Sequence, residues 1–116
     1  VRAAACEALG KHGEAAVPHL GALAKCLSDD DSDVRAAACT ALGKHGEAAV
    51  PHLEAVAGLL SDDYSSVRAA ACEALGKHGE AAELHLGGIA TRLQDSDQNV
   101  RKAAYDALKS HIEARR

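Results

Sequence analysis

A chain of 116 residues with no Phe, Trp or Met, whose only aromatic side chains are Tyr64 and Tyr105, cannot fill a globular core with bulky groups. Its abundant Ala suits close helix packing instead, because Ala is the strongest helix former and lets backbones approach. A formal charge of −4 argues against a nucleic-acid partner, which needs a basic stripe, and no apolar run approaches the ~20 residues of a membrane span.

The chain repeats itself. VRAAACEALGKHGEAA at 1–16 returns as VRAAACTALGKHGEAA at 34–49 and as VRAAACEALGKHGEAA at 67–82, and a diverged copy starts VRKAAYDALKSH at Val100. The period of 33 gives one array of units 1–33, 34–66 and 67–99, with a partial unit 100–116.

In unit one, Val1 stands inside the repeated motif with no capping residue before it. That leaves an uncapped apolar edge and predicts upstream sequence, so the chain is expected to be a segment of something longer. Its second helix presents the stripe Val17, Leu20, Leu23, Ala24 and Leu27. In unit two the first helix is predicted from about Asp33 to Leu42. Its apolar face is Val34, Ala37, Ala38, Ala41 and Leu42, at helical spacing. The run Asp29, Asp30, Asp31, Ser32, Asp33 supplies capping side chains for its start. Gly43 is expected to end it in a left-handed conformation, with Lys44, His45 and Gly46 as the turn. The second helix then runs from near Glu47 to about Leu60, with the stripe Val50, Leu53, Val56, Ala57 and Leu60. Pro51 sits in its first turn, where a missing N–H costs little.

Unit three replaces the Val-Pro pair with Glu83 and Leu84, and keeps Leu86, Ile89, Ala90 and Leu93. The last helix is more polar, through Lys102, Asp106, Lys109, Glu113, Arg115 and Arg116, which suits the margin or cap of an array. One helix pair cannot bury both stripes alone, so the units must stack side by side.

Residues able to carry chemistry recur with the same period. His12, His45, His78 and His111 share one position, and His19, His52 and His85 another. Equivalent positions in stacked helices lie ~8–10 Å apart, whereas zinc needs donors at ~2 Å. The expectation is therefore a solvated turn histidine and a helix-surface histidine, with no metal site. Cys6, Cys39 and Cys72 flank the apolar face of the first helices, with Tyr105 in the fourth copy, and read as small buried thiols. They stand too far apart for disulfides, and Cys26 is alone in its second helix. Four such thiols without a secretory segment point to a reducing compartment inside the cell, the cytoplasm first. The acidic run from Asp29 fails as a calcium loop, because its sixth and twelfth positions are Val34 and Thr40 where Gly and Glu are required.

A period of 33 also fits ankyrin repeats, but Val17-Pro18-His19-Leu20 is not their Thr-Pro-Leu-His signature, and tetratricopeptide repeats need aromatic residues that are missing here. The pattern Asp29…Val34-Arg35…Ala37-Ala38…Ala41-Leu42-Gly43, then Ala49-Val50-Pro51…Leu53…Leu60, resembles HEAT-like repeats over essentially the whole chain. The resemblance implies an all-α, right-handed α-solenoid of stacked antiparallel helix pairs. It also implies hydrogen-bonded ladders between units, carried over as Asp29 with Arg35, Asp62 with Arg68 and Asp95 with Arg101, besides Arg2.

Two enzyme groups share this kind of repeat. Deoxyhypusine hydroxylases hold iron with His-Glu pairs after the Val-Arg of the first helix. Those places hold Ala3-Ala4, Ala36-Ala37, Ala69-Ala70 and Lys102-Ala103 here, so that activity is not expected. Phycobilin lyases are the second group, and no motif of theirs can be placed on this chain.

Copies differ most in the second helix, at Gly21, Glu54 and Gly87, at Lys25, Gly58 and Thr91, and at Cys26, Leu59 and Arg92. In HEAT-like arrays the second helices line the concave binding face, which makes His19, Lys25, His52, Glu54, His85 and Arg92 the candidate contacts. The expected function is a protein-interaction scaffold within a larger protein or complex, without enzyme activity or cofactor, its protein partner unidentified. A structural or designed repeat with no partner, and a lyase-type subunit, are the alternatives.

Overall fold

The computed structural model describes residues 2–114. The expected apolar edge at Val1 and the charges of Arg115 and Arg116 lie outside the described residues. Among the described residues there is no strand, and the chain is an α-solenoid measuring 33 × 31 × 18 Å. Its first helices are α1 (Arg2–Lys11), α3 (Ser32–Lys44), α5 (Ser65–Lys77) and α7 (Gln98–Ala114). They form one layer in which α3 packs between α1 and α5, and α5 between α3 and α7. A second layer of short helices, α2 (Leu20–Lys25), α4 (Leu53–Gly58) and α6 (Leu86–Thr91), packs against α3, α5 and α7.

The turns into the first helices are set by aspartates. The Asp29 carboxylate accepts the Asp31 N–H at 2.9 Å, and Asp31 in turn caps α3 by accepting the Asp33 N–H at 2.8 Å. Asp62 accepts from Tyr64, and Asp95 from Asp97, in the same way. Asp97 then caps α7 through the Asn99 N–H at 2.7 Å.

Gly43 does not end its helix. It lies inside α3, where a Cβ would stand 2.9 Å from the Ala74 Cα; Gly10 meets Ala41 and Gly76 meets Ala107 in the same way. These glycines are there for close approach between neighbouring first helices. The left-handed residues are Gly13 and Gly79, each at φ 53, in the turns after α1 and α5. In the fourth copy Lys109 and Ile112 replace the helix glycine and the turn glycine, and α7 runs on as one helix.

The second helices are not continuous either. Each opens with a 3-10 segment, Gly13–His19, Glu47–His52 or Gly79–His85, before the short α-helix, and closes with a single 3-10 turn. Proline does not cause this, because Gly79–His85 contains none. A 3-10 helix turns once per three residues, so its inward residue is not the one a 3.6-residue period selects. Ala16, Ala49 and Ala82 are buried, whereas Val17 and Val50, assigned to the stripe, are exposed. Leu20, Leu23 and Leu27, with Leu53, Val56 and Leu60, bury as expected against Val34, Ala38, Leu42, Ala71 and Leu75.

Candidate binding surface

Each helix-entry arginine reaches both ways along the array. Arg35 grips the Asp62 carboxylate through two parallel bonds, Nε to Oδ1 at 2.9 Å and Nη2 to Oδ2 at 3.1 Å. Its Nη1 donates backwards to the main-chain oxygens of Asp29 at 2.7 Å and Asp30 at 3.1 Å. Arg68 repeats the pattern with Asp95 in front and with Asp62 and Asp63 behind. Arg2 begins the chain of bonds at Asp29, 2.9 Å away, and Arg101 ends it on the Asp95 main-chain oxygen at 2.7 Å. The carboxylate of Asp29 therefore belongs to Arg2, and that of Asp62 to Arg35. The expected pairs Asp29–Arg35, Asp62–Arg68 and Asp95–Arg101 meet only through main-chain oxygens. The correction is geometric: a long side chain spans one unit forward as readily as the six residues back along its own strand of sequence.

These bonds fix the charge states. The Arg68 hydrogen bond holds the Asp95 carboxyl below the ordinary carboxylate range against the upward pull of burial, helped by the Asp97 N–H and the charge of Arg92. At Asp62 burial is the largest single influence and pushes upward, but Arg35, the Tyr64 N–H and Arg68 together outweigh it.

A second set of links runs through the turn histidines. His45 Nε2 lies 2.8 Å from the Leu9 main-chain oxygen, and His78 Nε2 lies 3.0 Å from that of Leu42. A carbonyl only accepts, so Nε2 carries the proton. Leu9 and Leu42 stand in the last turn of α1 and α3, where helix carbonyls lack a partner within the helix. His45 and His111 are buried and His78 half-buried; of the four, only His12 is exposed. The expectation of solvated turn histidines is corrected, and their recurrence at one place in the repeat was the available signal.

The other histidines stand at the break between the 3-10 segment and the short α-helix. His19, His52 and His85 have φ near −103, −103 and −104. His19, Lys25 and Glu54 are exposed, and His52 and His85 half-buried. Among the described residues these five side chains form no hydrogen bond or ion pair with one another. Arg92 stands apart, because its Nη1 lies 3.3 Å from Asp95 Oδ2. Asp95 thus holds two guanidinium groups, and Arg92, Arg68, Asp62 and Gln94 line an open polar cavity of about 540 Å³.

Cys26 has company after all. It lines a cavity of about 150 Å³ with Cys6, Leu9 and Leu23. Burial first, then the hydrogen bond to Cys26, pushes the Cys6 thiol up to about 11. Burial first, then the charge of Asp62, drives Cys39 up to about 12. Among the described residues no three His, Cys, Asp or Glu side chains come together as metal ligands would. No helix there is long and apolar enough to cross a membrane.

The geometry agrees with what known proteins share with this chain. No curated protein matches it. Among solved structures it is similar to an engineered protein, with a TM-score of 0.74, 21% identity, and coverage of 97% of this chain and 61% of that one. That likeness concerns the fold alone. The complex of CpcE and CpcF of phycocyanin lyase from Nostoc sp. PCC7120 matches with a TM-score of 0.73 and 26% identity, over 96% of this chain and 69% of that one. Human deoxyhypusine hydroxylase in complex with glycerol matches with a TM-score of 0.69 and 31% identity, over 94% of this chain but 36% of that one. This chain thus spans less than two thirds of the engineered protein and of the hydroxylase. The family model for HEAT repeats matches residues 1–75 and 55–115, and the chain belongs to the HEAT-repeat family.

Proposed function

We propose that this chain is a protein-interaction scaffold without catalytic chemistry or cofactor of its own, acting as part of a larger repeat protein or complex. Its partner meets the second-helix layer at His19, Lys25, His52, Glu54 and His85, with Arg92 contributing less because Asp95 already holds it. One observation carries this reading. The side chains that bond and pack between units recur with the repeat, whereas Lys25 and Glu54, which differ between copies, and the recurring His19, His52 and His85 lie on the second-helix layer and form no bond or ion pair with one another. A surface that holds nothing together is free to be read by a partner. The alanines at Ala3-Ala4, Ala36-Ala37 and Ala69-Ala70 offer no ligand for metal chemistry and support the non-catalytic part. The free cysteines fit a reducing compartment.

The test compares three immobilised baits in native lysate: the chain itself, Lys25→Glu/Glu54→Lys, and Lys102→Glu on the first-helix layer. A protein held by the first and third baits and lost by the second supports the scaffold. Equal retention by all three removes the second-helix layer from consideration. A lyase-type subunit is the second reading, favoured by the likeness to the CpcE and CpcF complex. Long-wavelength absorbance that co-elutes with the chain after incubation with an open-chain tetrapyrrole would support it, and its absence would count against it.

A further inference from the structure

Cys6 and Cys26 meet within the first unit. Cys6 is buried on α1, and Cys26 is half-buried in the 3-10 turn that closes α2. Their side chains line one small cavity with Leu9 and Leu23, and the two thiols are hydrogen-bonded. At the same two places unit two has Cys39 and Leu59, and unit three has Cys72 and Arg92. In unit three the two positions also lie close: burial first pushes the Cys72 thiol up to about 11, and the charge of Arg92 pulls against it. Only in unit one does a second sulfur stand at the facing place.

Exposure here belongs to the position, not to the edge of the array. Leu59 and Arg92 sit in units that have a preceding first helix packed against them, and both are half-buried as Cys26 is. Cys6, Cys39 and Cys72 are buried. One accessible sulfur beside one buried sulfur is the arrangement of an oxidisable thiol and the thiol that resolves it.

We propose that Cys26 is an oxidation site of this chain and Cys6 its resolving thiol, the pair closing to a disulfide when hydrogen peroxide is the oxidant. The thiolate of Cys26 attacks one peroxide oxygen; the O–O bond breaks, and hydroxide leaves and takes up a proton as water. Cys26 is then a sulfenic acid. The Cys6 sulfur gives up its proton and attacks the Cys26 sulfur; the S–S bond forms as the S–O bond breaks, and a second water leaves. Two thiols are oxidised and one peroxide is reduced to two waters. The burial that keeps Cys6 protonated makes it a poor first target and leaves that role to Cys26. The bond ties α1 to the turn after α2, and a dithiol reductant reopens it by exchange.

The experiment treats the folded chain with hydrogen peroxide, then reads intact mass, peptide masses without reduction, and thermal melts. Trypsin releases the same peptide, AAACEALGK, from residues 3–11 and 69–77, so variants make the assignment. The chain and Cys72→Ala are expected to lose two hydrogen atoms in mass and to join that peptide to the one beginning at Cys26. Both are expected to melt about 10 °C higher than when reduced. Cys26→Ser is expected to show neither change, and Cys6→Ala to stop at a sulfenic acid on Cys26 that dimedone captures. Circular dichroism confirms that each variant is helical, and Cys26→Ser, at a half-buried place, decides even where a buried variant unfolds. A folded chain that keeps both thiols free would overturn the proposal. So would a Cys26 linked to a second chain, or a link kept in Cys26→Ser or lost in folded Cys72→Ala.

Discussion

In unit two each helix carries an apolar stripe of five residues in sequence, yet the first-helix layer and the second-helix layer are built differently. In the first layer, nearly identical copies lock through glycine–alanine approaches, arginine–aspartate forks and histidine–carbonyl bonds, so that almost every recurring side chain has a place. In the second layer only Leu20, Leu23, Leu53, Val56 and Ile89 and their neighbours are committed to the core. The rest includes the recurring His19, His52 and His85 and positions that vary between copies, such as Lys25 and Glu54. The comparison teaches that the bonds and close contacts between units are made by recurring side chains, whereas the second layer joins the array through its leucines, valine and isoleucine.

The largest effect should come from the core of the first layer. Leu42 is fully buried, and Leu42→Ala is expected to lower unfolding free energy by about 2–5 kcal/mol in urea titrations. Leu84, 94% exposed on the second layer, should change it by less than about 0.5 kcal/mol when replaced by Ala. Comparable losses at the two sites would break the distinction between layers.

Glycines provide the next contrast. Gly43→Val drives a side chain into Ala74 and should cost about 1–3 kcal/mol. Gly87, in α6, has nothing within 4 Å of its would-be Cβ, and Gly87→Ala should stabilise by about 0.5–1 kcal/mol. Thermal melts of the two variants should therefore shift in opposite directions.

The arginine forks are graded by exposure. Arg68→Ala leaves Asp95, whose side chain is 3% exposed, with only Arg92 as a charged partner, and should cost about 2 kcal/mol. Arg2 is 63% exposed in its pair with Asp29, and Arg2→Ala should cost less. The same forks set a pH dependence. Asp62 and Asp95 are held below their ordinary value of 3.8 in the folded chain, so the unfolded chain binds protons first as acid is added. Their stabilisation is complete above that value and is lost as pH falls below it through the folded values. Urea midpoints measured from pH 6 down to pH 2 should drop in that window, with a shallower drop in Asp95→Asn.

The smallest effect is chemical. With its thiol pushed up to about 12, native Cys39 stays protonated and unreactive at pH 8. Iodoacetamide should therefore modify half-buried Cys26 well before Cys39, Cys72 or Cys6, a ranking that peptide mass spectrometry reads directly.

Much of the fold was legible in the residues. A 33-residue period with Val34, Ala38, Ala41 and Leu42 on one face leaves little choice but stacked helices. What escaped did so for physical reasons. Gly43 follows a leucine near a helix end, where a C-terminal glycine and a close-contact glycine look alike until the neighbouring helix is in place. The 3-10 segments were hidden because Val17 and Val50 satisfy a helical period that the backbone does not follow. The ladder carried over from the HEAT-like resemblance pairs Arg35 with Asp29, whereas stacking delivers the Asp62 carboxylate, one unit on. The buried histidines needed the terminal carbonyls of the preceding unit, which no local pattern displays.

The most direct measurement of the division between layers is native-state hydrogen exchange resolved by residue. The account predicts that amides in the middle of α3 and α5 exchange only through global unfolding, whereas those of α2, α4, α6 and their flanking 3-10 segments exchange through smaller openings. Equal protection in both layers, or slower exchange in the second, would contradict it.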